Sequence, residues 1–159
     1  MVAEETTFSS AWEQAASVEE QKAALDQTFA KGKYRGIVKD YTPKQESPEW
    51  SPYHGHPGEV VTLKIAILVD GKERTKLEDV SPVKRGGTSK AGTKYLAQEY
   101  IRFSKLAKAL GMLGTVPKDV LEAAKAKALE YSYGRKERQQ DGEGTGDYDN
   151  NLNDIKASS

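Results

Sequence analysis

EVVTLKIAILVDGKERTKLEDV, residues 59–80, contains the clearest secondary-structure pattern of this chain. Apolar side chains recur at every second position from Glu59 to Val69, which predicts a strand. The dipeptide Asp70-Gly71 follows, and it is a strong signal for the tight turn of a hairpin. The return segment, from Lys72 to about Val80, is highly charged. We therefore expect an antiparallel hairpin whose second strand has one face in water.

The segment before this hairpin predicts one more strand and a long loop. Tyr34 to Tyr41 has Ile37 and Val38 at its centre and predicts a strand. Thr42 to Gly58 contains four prolines and two glycines, which predicts a loop. Loops of this length are uncommon in compact domains unless they have a function, so this is a candidate functional loop.

The N-terminal segment is acidic and predicts a helix. Residues 1–30 contain one Lys and six acidic residues. Ser10 and Glu13 have the spacing of a capping box, which predicts a helix over residues 9–30. The apolar stripe of this helix is narrow, so we expect the helix either to pack weakly on the rest of the chain or to bind a partner.

A basic loop and two helices are predicted after the hairpin. Residues 81–94 combine one proline and three glycines with four cations, which predicts a mobile loop. A helix is predicted from about Ala97 to Leu110, with Tyr100 and Phe103 in the core and Gly111 as its end. Pro117 opens a second, shorter helix at a favoured position. The four cations of the loop are Lys84, Arg85, Lys90 and Lys94.

The last third of the chain allows two interpretations. Leu129, Tyr131 and Tyr133 alternate with polar residues, which predicts a strand. A loop over Gln139–Asp147 and a return strand over Tyr148–Ile155 would complete a terminal hairpin. The alternative is a disordered acidic tail, because residues 139–159 contain five acidic residues and one Lys. The hairpin is favoured.

The order of these elements predicts the fold class. Three strands, a helical insertion and two more strands form the element order of an OB-fold, a five-stranded and partly open Greek-key barrel. We therefore expect a mainly β protein with helices (α+β). The predicted domains are an acidic N-terminal helix over residues 1–30 and an OB-fold domain over residues 31–157.

Charge is sorted along the chain, although the net charge is zero. Residues 31–138 contain 22 Lys and Arg against 13 acidic residues, and aromatic residues are interleaved with them. A basic body interleaved with rings is typical of proteins that bind single-stranded nucleic acid. The chain contains no Cys, and its longest apolar run, Ile65–Val69, is too short to span a membrane. With no secretory signal visible, a soluble and cytoplasmic protein is predicted, without membrane partners.

The chain contains the stretches KYRGIVKD (33–40), VVTLKIAILVDGK (60–72), LAKALG (106–111) and LEYSYGRKER (129–138), the last followed by Gly142 and Tyr148–Ile155. In their order and spacing, these stretches resemble the phage-type OB-fold single-stranded DNA-binding proteins. This resemblance covers roughly residues 31–157 and implies sequence-independent binding of single-stranded DNA in phage replication or recombination. It also implies the cytoplasm of a bacterial host and replication or recombination proteins as partners. Two features depart from the family pattern: the loop rich in proline and aromatics, and the lack of a short acidic tail with a terminal Phe.

OB-folds bind single strands across the face of strands two and three and with the loops that join strands one and two and strands four and five. The corresponding loops here are Thr42–Gly58 and Gln139–Asp147. Aromatic residues would stack on bases and cations would contact phosphates. Tyr131 and Tyr133 have a structural alternative as core residues, and Trp50 has one as a side chain packed on the barrel. The predicted interface comprises Tyr34, Arg35, Lys39, Tyr41, Trp50, Tyr53, Lys64, Lys72, Arg74, Lys76, Lys84, Arg85, Lys90, Tyr131, Tyr133 and Arg135.

Patterns for catalysis and for metal binding are weak. His54 and His56 lie near Glu59, but the chain contains no other His and no Cys to complete a metal site. The run from Gly86 to Lys90 lacks the spacing of a phosphate-binding loop. A nuclease needs clustered carboxylates, and the acidic residues of the basic body are scattered. We therefore predict no enzymatic activity, no catalytic residue, no metal and no cofactor.

A protein-interaction module of the same fold is the leading alternative function. It would be a replisome or virion accessory component whose basic surface pairs with an acidic partner. Homo-oligomers through the acidic N-terminal helix are a further expectation.

Overall fold

The computed structural model describes residues 15–18, 20–21 and 28–158. Most of the helix predicted over residues 9–30 lies outside the described residues. Of the described residues, 45% are in strands, and two helices accompany them, so the protein is mainly β with helices. The strands are β1 (Gly32–Lys44), β2 (Val60–Val69), β3 (Lys72–Val80), β4 (Gly86–Thr88), β5 (Lys94–Leu96), β6 (Leu129–Tyr133), β7 (Lys136–Gln140), β8 (Glu143–Asp149) and β9 (Leu152–Ala157); the helices are α1 (Gln98–Ala109) and α2 (Pro117–Ala126).

The hairpin of β2 and β3 is formed as predicted. The two strands pair without a break from Val69 opposite Lys72 to Val61 opposite Val80. Asp70 and Gly71 have φ angles of 52° and 78°, and a type I′ turn requires positive φ at both central residues. Asp and Gly tolerate this conformation better than other residues, which explains the turn.

Five strands form one antiparallel sheet in the order β3-β2-β1-β6-β9. The first three strands are consecutive, and β6 returns after the two helices to pair with β1. A fourth strand that returns to lie beside the first is the arrangement of a Greek key. The sheet is open: no pairing between the edge strands β3 and β9 is present within residues 28–158.

Both helices pack on the core face of this sheet. Helix α1 packs against the two edge strands, β3 and β9, and α2 packs against β1. Of the predicted core residues, Phe103 of α1 and Val120 of α2 are buried, whereas Tyr100 of α1 is only half-buried. On the sheet, Ile67 is fully buried opposite Gly36 of β1. A Cβ atom at Gly36 would lie 2.8 Å from Ile67 Cγ2 and 2.9 Å from the Ala66 carbonyl oxygen, so this close strand approach needs glycine.

Two segments predicted as loops contain short hairpins. The basic segment 81–94 includes β4 and leads into β5, its antiparallel partner. The predicted loop over Gln139–Asp147 is part of the β7–β8 hairpin. The strand that pairs with β6 is β9, which begins at Leu152 rather than at Tyr148. The disordered acidic tail is therefore wrong for residues 139–158, since most of these residues lie in paired strands.

The described residues divide into two compact units. Of the described residues, the smaller unit holds 15–18, 20–21, 28–29 and 135–150, and the larger one holds 30–134 and 151–158. In the smaller unit the Asn150 side chain accepts a hydrogen bond from the Phe29 backbone N–H (3.0 Å) and donates one to the Phe29 carbonyl oxygen (2.9 Å). The division into domains at residues 30 and 31 stays a prediction. Neither described helix is long and apolar enough to cross a membrane.

Candidate nucleic-acid interface

The loop between β1 and β2, residues 45–59, is built from successive turns around one buried side chain. Tyr53 is fully buried, and its hydroxyl donates a hydrogen bond to the Val83 carbonyl oxygen at 2.7 Å. The ring packs with Val60 and Ala97, and Val83 lies against this cluster. Tyr53 therefore anchors the loop, and its burial removes it from the predicted stacking residues.

Trp50 lies in the same loop and is 82% exposed. Burying a Trp side chain is strongly favourable, so an indole that remains in water is an unusual feature of a folded chain. The exposure excludes the structural alternative in which Trp50 packs on the sheet. The ring is therefore available to a ligand, in a loop whose position Tyr53 fixes from within.

A bidentate ion pair joins this loop to the segment that leads into β4. The Arg85 guanidinium donates to both carboxylate oxygens of Glu59, at 2.6 and 2.9 Å. These hydrogen bonds hold the pKa of the Glu59 carboxyl below its usual value and raise the pKa of the arginine. The predicted contact of Arg85 with phosphate is not supported, because Glu59 already balances the charge of this arginine.

The predicted cations of β2 and β3 do not share one face of the sheet. Arg74 and Lys76 pair with Ile67 and Ile65, so they lie on the core face. Lys64 is opposite Leu77 and therefore lies on the other face, because successive side chains alternate along a strand. Lys72 pairs with Val69 at the hairpin end and follows the register of the core face. The single cationic face predicted from these four residues is wrong.

The sheet face opposite the helices contains a shallow pocket of about 240 Å³. Its lining includes apolar side chains, two exposed cations of β1, Arg35 and Lys39, and the acidic Glu73 of β3. Leu68 of β2 and Leu77 of β3 are 53% and 64% exposed on the same face. Apolar surface bordered by cations is what a base and its phosphates would contact.

The two tyrosines of β6 are enclosed in the core, whereas Tyr34 of β1 is half-buried. Tyr131 and Tyr133 of β6 are buried, and burial raises the pKa of both hydroxyls. The Tyr34 ring lies 6.4 Å from the Tyr133 ring, and the Tyr34 hydroxyl donates to the Ala30 carbonyl oxygen. Lys76 Nζ lies 5.9 Å from the centre of the Tyr133 ring. Tyr131 and Tyr133 thus follow the structural alternative, and neither presents a face to a base.

Two further predicted residues have partners within the protein. The Tyr41 hydroxyl donates to Glu122 Oε2 at 2.5 Å, which raises the pKa of Tyr41. Arg135 lies outside β6, in the smaller unit, where it donates to Thr28 Oγ1 at 2.9 Å and covers the Tyr148 ring at 3.8 Å. Both side chains therefore stabilise their own surroundings.

The two histidines near Glu59 make separate contacts, and His56 Nδ1 lies 3.9 Å from Glu59 Oε2. His54 Nδ1 lies 2.9 Å from the Ser47 carbonyl oxygen, and Glu59 is held by Arg85. Across residues 28–158, no group of three or more His, Cys, Asp or Glu side chains is placed to hold a metal ion.

One exposed aromatic residue was missed by the sequence prediction. Tyr95 of β5 is 47% exposed and follows Lys94. Its position in a stretch with four cations and no acidic residue, residues 84–96, was the available signal. The residues that the structure presents at the surface for a polyanion are Arg35, Lys39, Trp50, Lys64, Lys84, Lys90, Lys94 and Tyr95.

Comparison of the chain with protein-family models, curated proteins and solved structures found no match. The functional argument therefore depends on the geometry and chemistry of the site.

Proposed function

We propose that this chain is an OB-fold protein that binds single-stranded DNA without strong sequence preference and acts in phage DNA replication or recombination. The strand order supports the fold, since an open five-stranded sheet with a Greek-key return fits a partly open OB barrel. The packing of α1 against both edge strands supports it as well, because the helix then spans the opening of the sheet.

The exposure of Trp50 is the observation that carries the function. In an OB-fold the loop between the first two strands flanks the ligand face, and Trp50 lies in that loop. Stacking of a base on an aromatic ring contributes about 1–3 kcal/mol and tolerates any base. Lys64, Arg35 and Lys39 supply cations on the open sheet face for the phosphates. In this proposal Trp50 stacks on a base, and the cations of the strand face contact the phosphates.

A titration of labelled oligo-dT tests this proposal. The wild-type protein is expected to bind at low salt and to weaken steeply as salt rises, because bound Lys and Arg release counterions from the phosphates. Trp50→Ala is expected to weaken binding about 5-fold to 100-fold, the range of one lost stacking contact, whereas Trp50→Phe keeps most of the affinity.

Leu113→Ala is the matched control, since Leu113 is also exposed and apolar but lies between the two helices. It should bind as the wild type does. Absence of binding at low salt would contradict the proposal, and so would an affinity that changes neither with salt nor with the Trp50 substitution.

The exposed leucines favour one alternative, a protein-interaction module of the same fold. Leu68 and Leu77 lie together with cations on the open sheet face, and an acidic protein partner with apolar side chains would also fit that surface. In this case Trp50→Ala would abolish partner capture and leave binding to oligo-dT unchanged, which distinguishes the two functions.

A further inference from the structure

The β4–β5 hairpin is a cationic arm that the prediction treated as a mobile loop. Its pairing joins Gly86 to Leu96, Gly87 to Tyr95 and Thr88 to Lys94. Residues 84–96, which we call the basic arm, contain four cations and no acidic residue. Arg85 is balanced by Glu59, whereas the exposed Lys84, Lys90 and Lys94 form no ion pair with a described residue.

The Tyr95 ring lies over the backbone of Gly87, the residue opposite it in β4. A Cβ atom at Gly87 would lie 2.6 Å from the Tyr95 hydroxyl oxygen and 2.9 Å from its Cζ, so the ring occupies the space that a side chain would fill. The side chain is nevertheless 47% exposed. An aromatic ring that lies on the backbone and stays open to solvent loses little conformational entropy when a ligand stacks on it.

The basic arm is joined to the loop that carries Trp50. Arg85, at the start of the arm, forms the bidentate pair with Glu59, and the Tyr53 hydroxyl bonds to the Val83 carbonyl oxygen. The Ala97 N–H also donates to the Arg85 carbonyl oxygen at 2.9 Å, which closes the base of the arm. Two exposed rings, Trp50 and Tyr95, thus belong to segments that are fixed to each other.

We propose that the basic arm is a second contact site for the same DNA strand, where Tyr95 stacks on a base and Lys84, Lys90 and Lys94 contact phosphates. This inference rests on the proposed function. It extends the binding site from the β1–β2 loop to the segment between β3 and α1. Short oligonucleotides then reach only one of the two rings, and longer ones reach both.

Three variants test the arm on the full chain. Tyr95→Ala removes the ring, and Tyr95→Phe retains it. Gly87→Ala keeps every charge but places a methyl group where the Tyr95 ring lies. On oligo-dT of about 16 nucleotides, Tyr95→Ala and Gly87→Ala should each weaken binding about 5-fold to 100-fold, and Tyr95→Phe less than about 3-fold. On oligo-dT of about 4 nucleotides, near the smallest OB-fold site size, Tyr95→Ala should have less effect than Trp50→Ala.

A matched pair of triple variants tests the lysines. Lys84, Lys90 and Lys94 are replaced by Ala in one protein, and the exposed Lys108, Lys118 and Lys127 in the other, so both lose the same net charge. The slope of log affinity against log salt should become shallower by about 2 for the arm variant and stay near wild type for the control, at about 0.7 for each lost phosphate contact.

The outcomes separate the two proposals. Suppose that Trp50→Ala weakens binding, that the Tyr95 variants bind as tightly as the wild type, and that the two triple variants have the same salt slope. The arm is then not a contact site, and the proposed function stands. If wild-type protein does not bind oligo-dT at low salt, the proposed function fails and the arm proposal fails with it. Thermal unfolding of each variant checks that a loss of affinity does not come from unfolding.

Discussion

Glu78 is an acidic side chain on the core face of β3, only 8% exposed. Burial is the main influence on its pKa and raises it, because a desolvated carboxylate favours its neutral form. Arg102 and Lys76 oppose this shift, and Asp79 reinforces it. The net effect is a raised pKa, so the folded protein holds this proton at a pH where the unfolded chain has released it.

The pH dependence of stability follows from that difference. Between the ordinary value of 4.5 and the raised pKa, the folded state binds more protons than the unfolded state, so stability falls as pH rises through this window. Glu78→Gln keeps the shape without the charge and is expected to remove this fall. Urea unfolding at several pH values from 4 to 8 measures it. Identical pH profiles of the variant and the wild type would show that Glu78 does not contribute to the pH dependence of stability.

The loop of residues 45–59 shows at the scale of an element how one buried residue fixes a functional one. Pro48, Ser51 and Tyr53 begin consecutive turns whose backbone bonds run from Ser51 N to Pro48 O, His54 N to Ser51 O and His56 N to Tyr53 O. These turns are closed where the Gly58 N–H donates to the Lys44 carbonyl oxygen at 2.9 Å. The ring of Tyr53 connects them to the core, so the position of Trp50 depends on this anchor.

Tyr53→Phe tests the anchor. The ring stays buried, but the Val83 carbonyl oxygen loses its hydrogen bond, so the free energy of unfolding should fall by about 1 kcal/mol. Tyr95→Phe is the control, because the Tyr95 hydroxyl makes no hydrogen bond to a described residue, and its change should stay within about 0.5 kcal/mol. Equal urea midpoints for Tyr53→Phe and the wild type would refute the anchoring role.

Strong periodic elements could be predicted from the sequence, and short polar hairpins could not. The β2–β3 hairpin and both helices have apolar periodicity and clear end signals, so they match their predictions. The β4 and β5 strands have three residues each, and two of the three in β4 are glycine, so neither is long enough to show a pattern. In β7–β8, Glu137 bonds to the Gly146 N–H and Arg138 pairs with Asp149. Such polar contacts across a hairpin leave no period in the sequence.

Only part of the candidate site could be predicted, because the pleat of each strand decides which face of the sheet a side chain occupies. Counting alternate positions from the turn at Asp70-Gly71 places Lys64 and Lys76 on opposite faces of the sheet. The number of cations in the two strands does not give this information. In β1 the register shifts between Val38 and Asp40, and this irregularity brings Tyr41 opposite the buried Leu63. Such an irregularity moves the following side chains to the other face, so Tyr41 could not be placed by counting.

At the scale of the molecule, α1 connects the two edges of the larger sheet. Arg102 Nη1 donates to the Asp79 carbonyl oxygen of β3 at 3.4 Å, and Lys105 Nζ donates to the Asn153 carbonyl oxygen of β9 at 2.7 Å. The Ser81 N–H, just after β3, donates to the Glu99 carbonyl oxygen at 3.0 Å. The helix α1 therefore contacts both edge strands of the open sheet.

Leu106→Ala tests this role of α1. Leu106 is fully buried in the middle of the helix, and its truncation should lower the free energy of unfolding by about 2–5 kcal/mol. Native-state hydrogen exchange should then show β3 and β9 amides losing protection together, because both edges depend on the same helix. Leu113→Ala, the same change at an exposed position, should leave exchange unchanged. Loss of protection in one edge strand alone would mean that α1 supports that strand and that the two edges are independent.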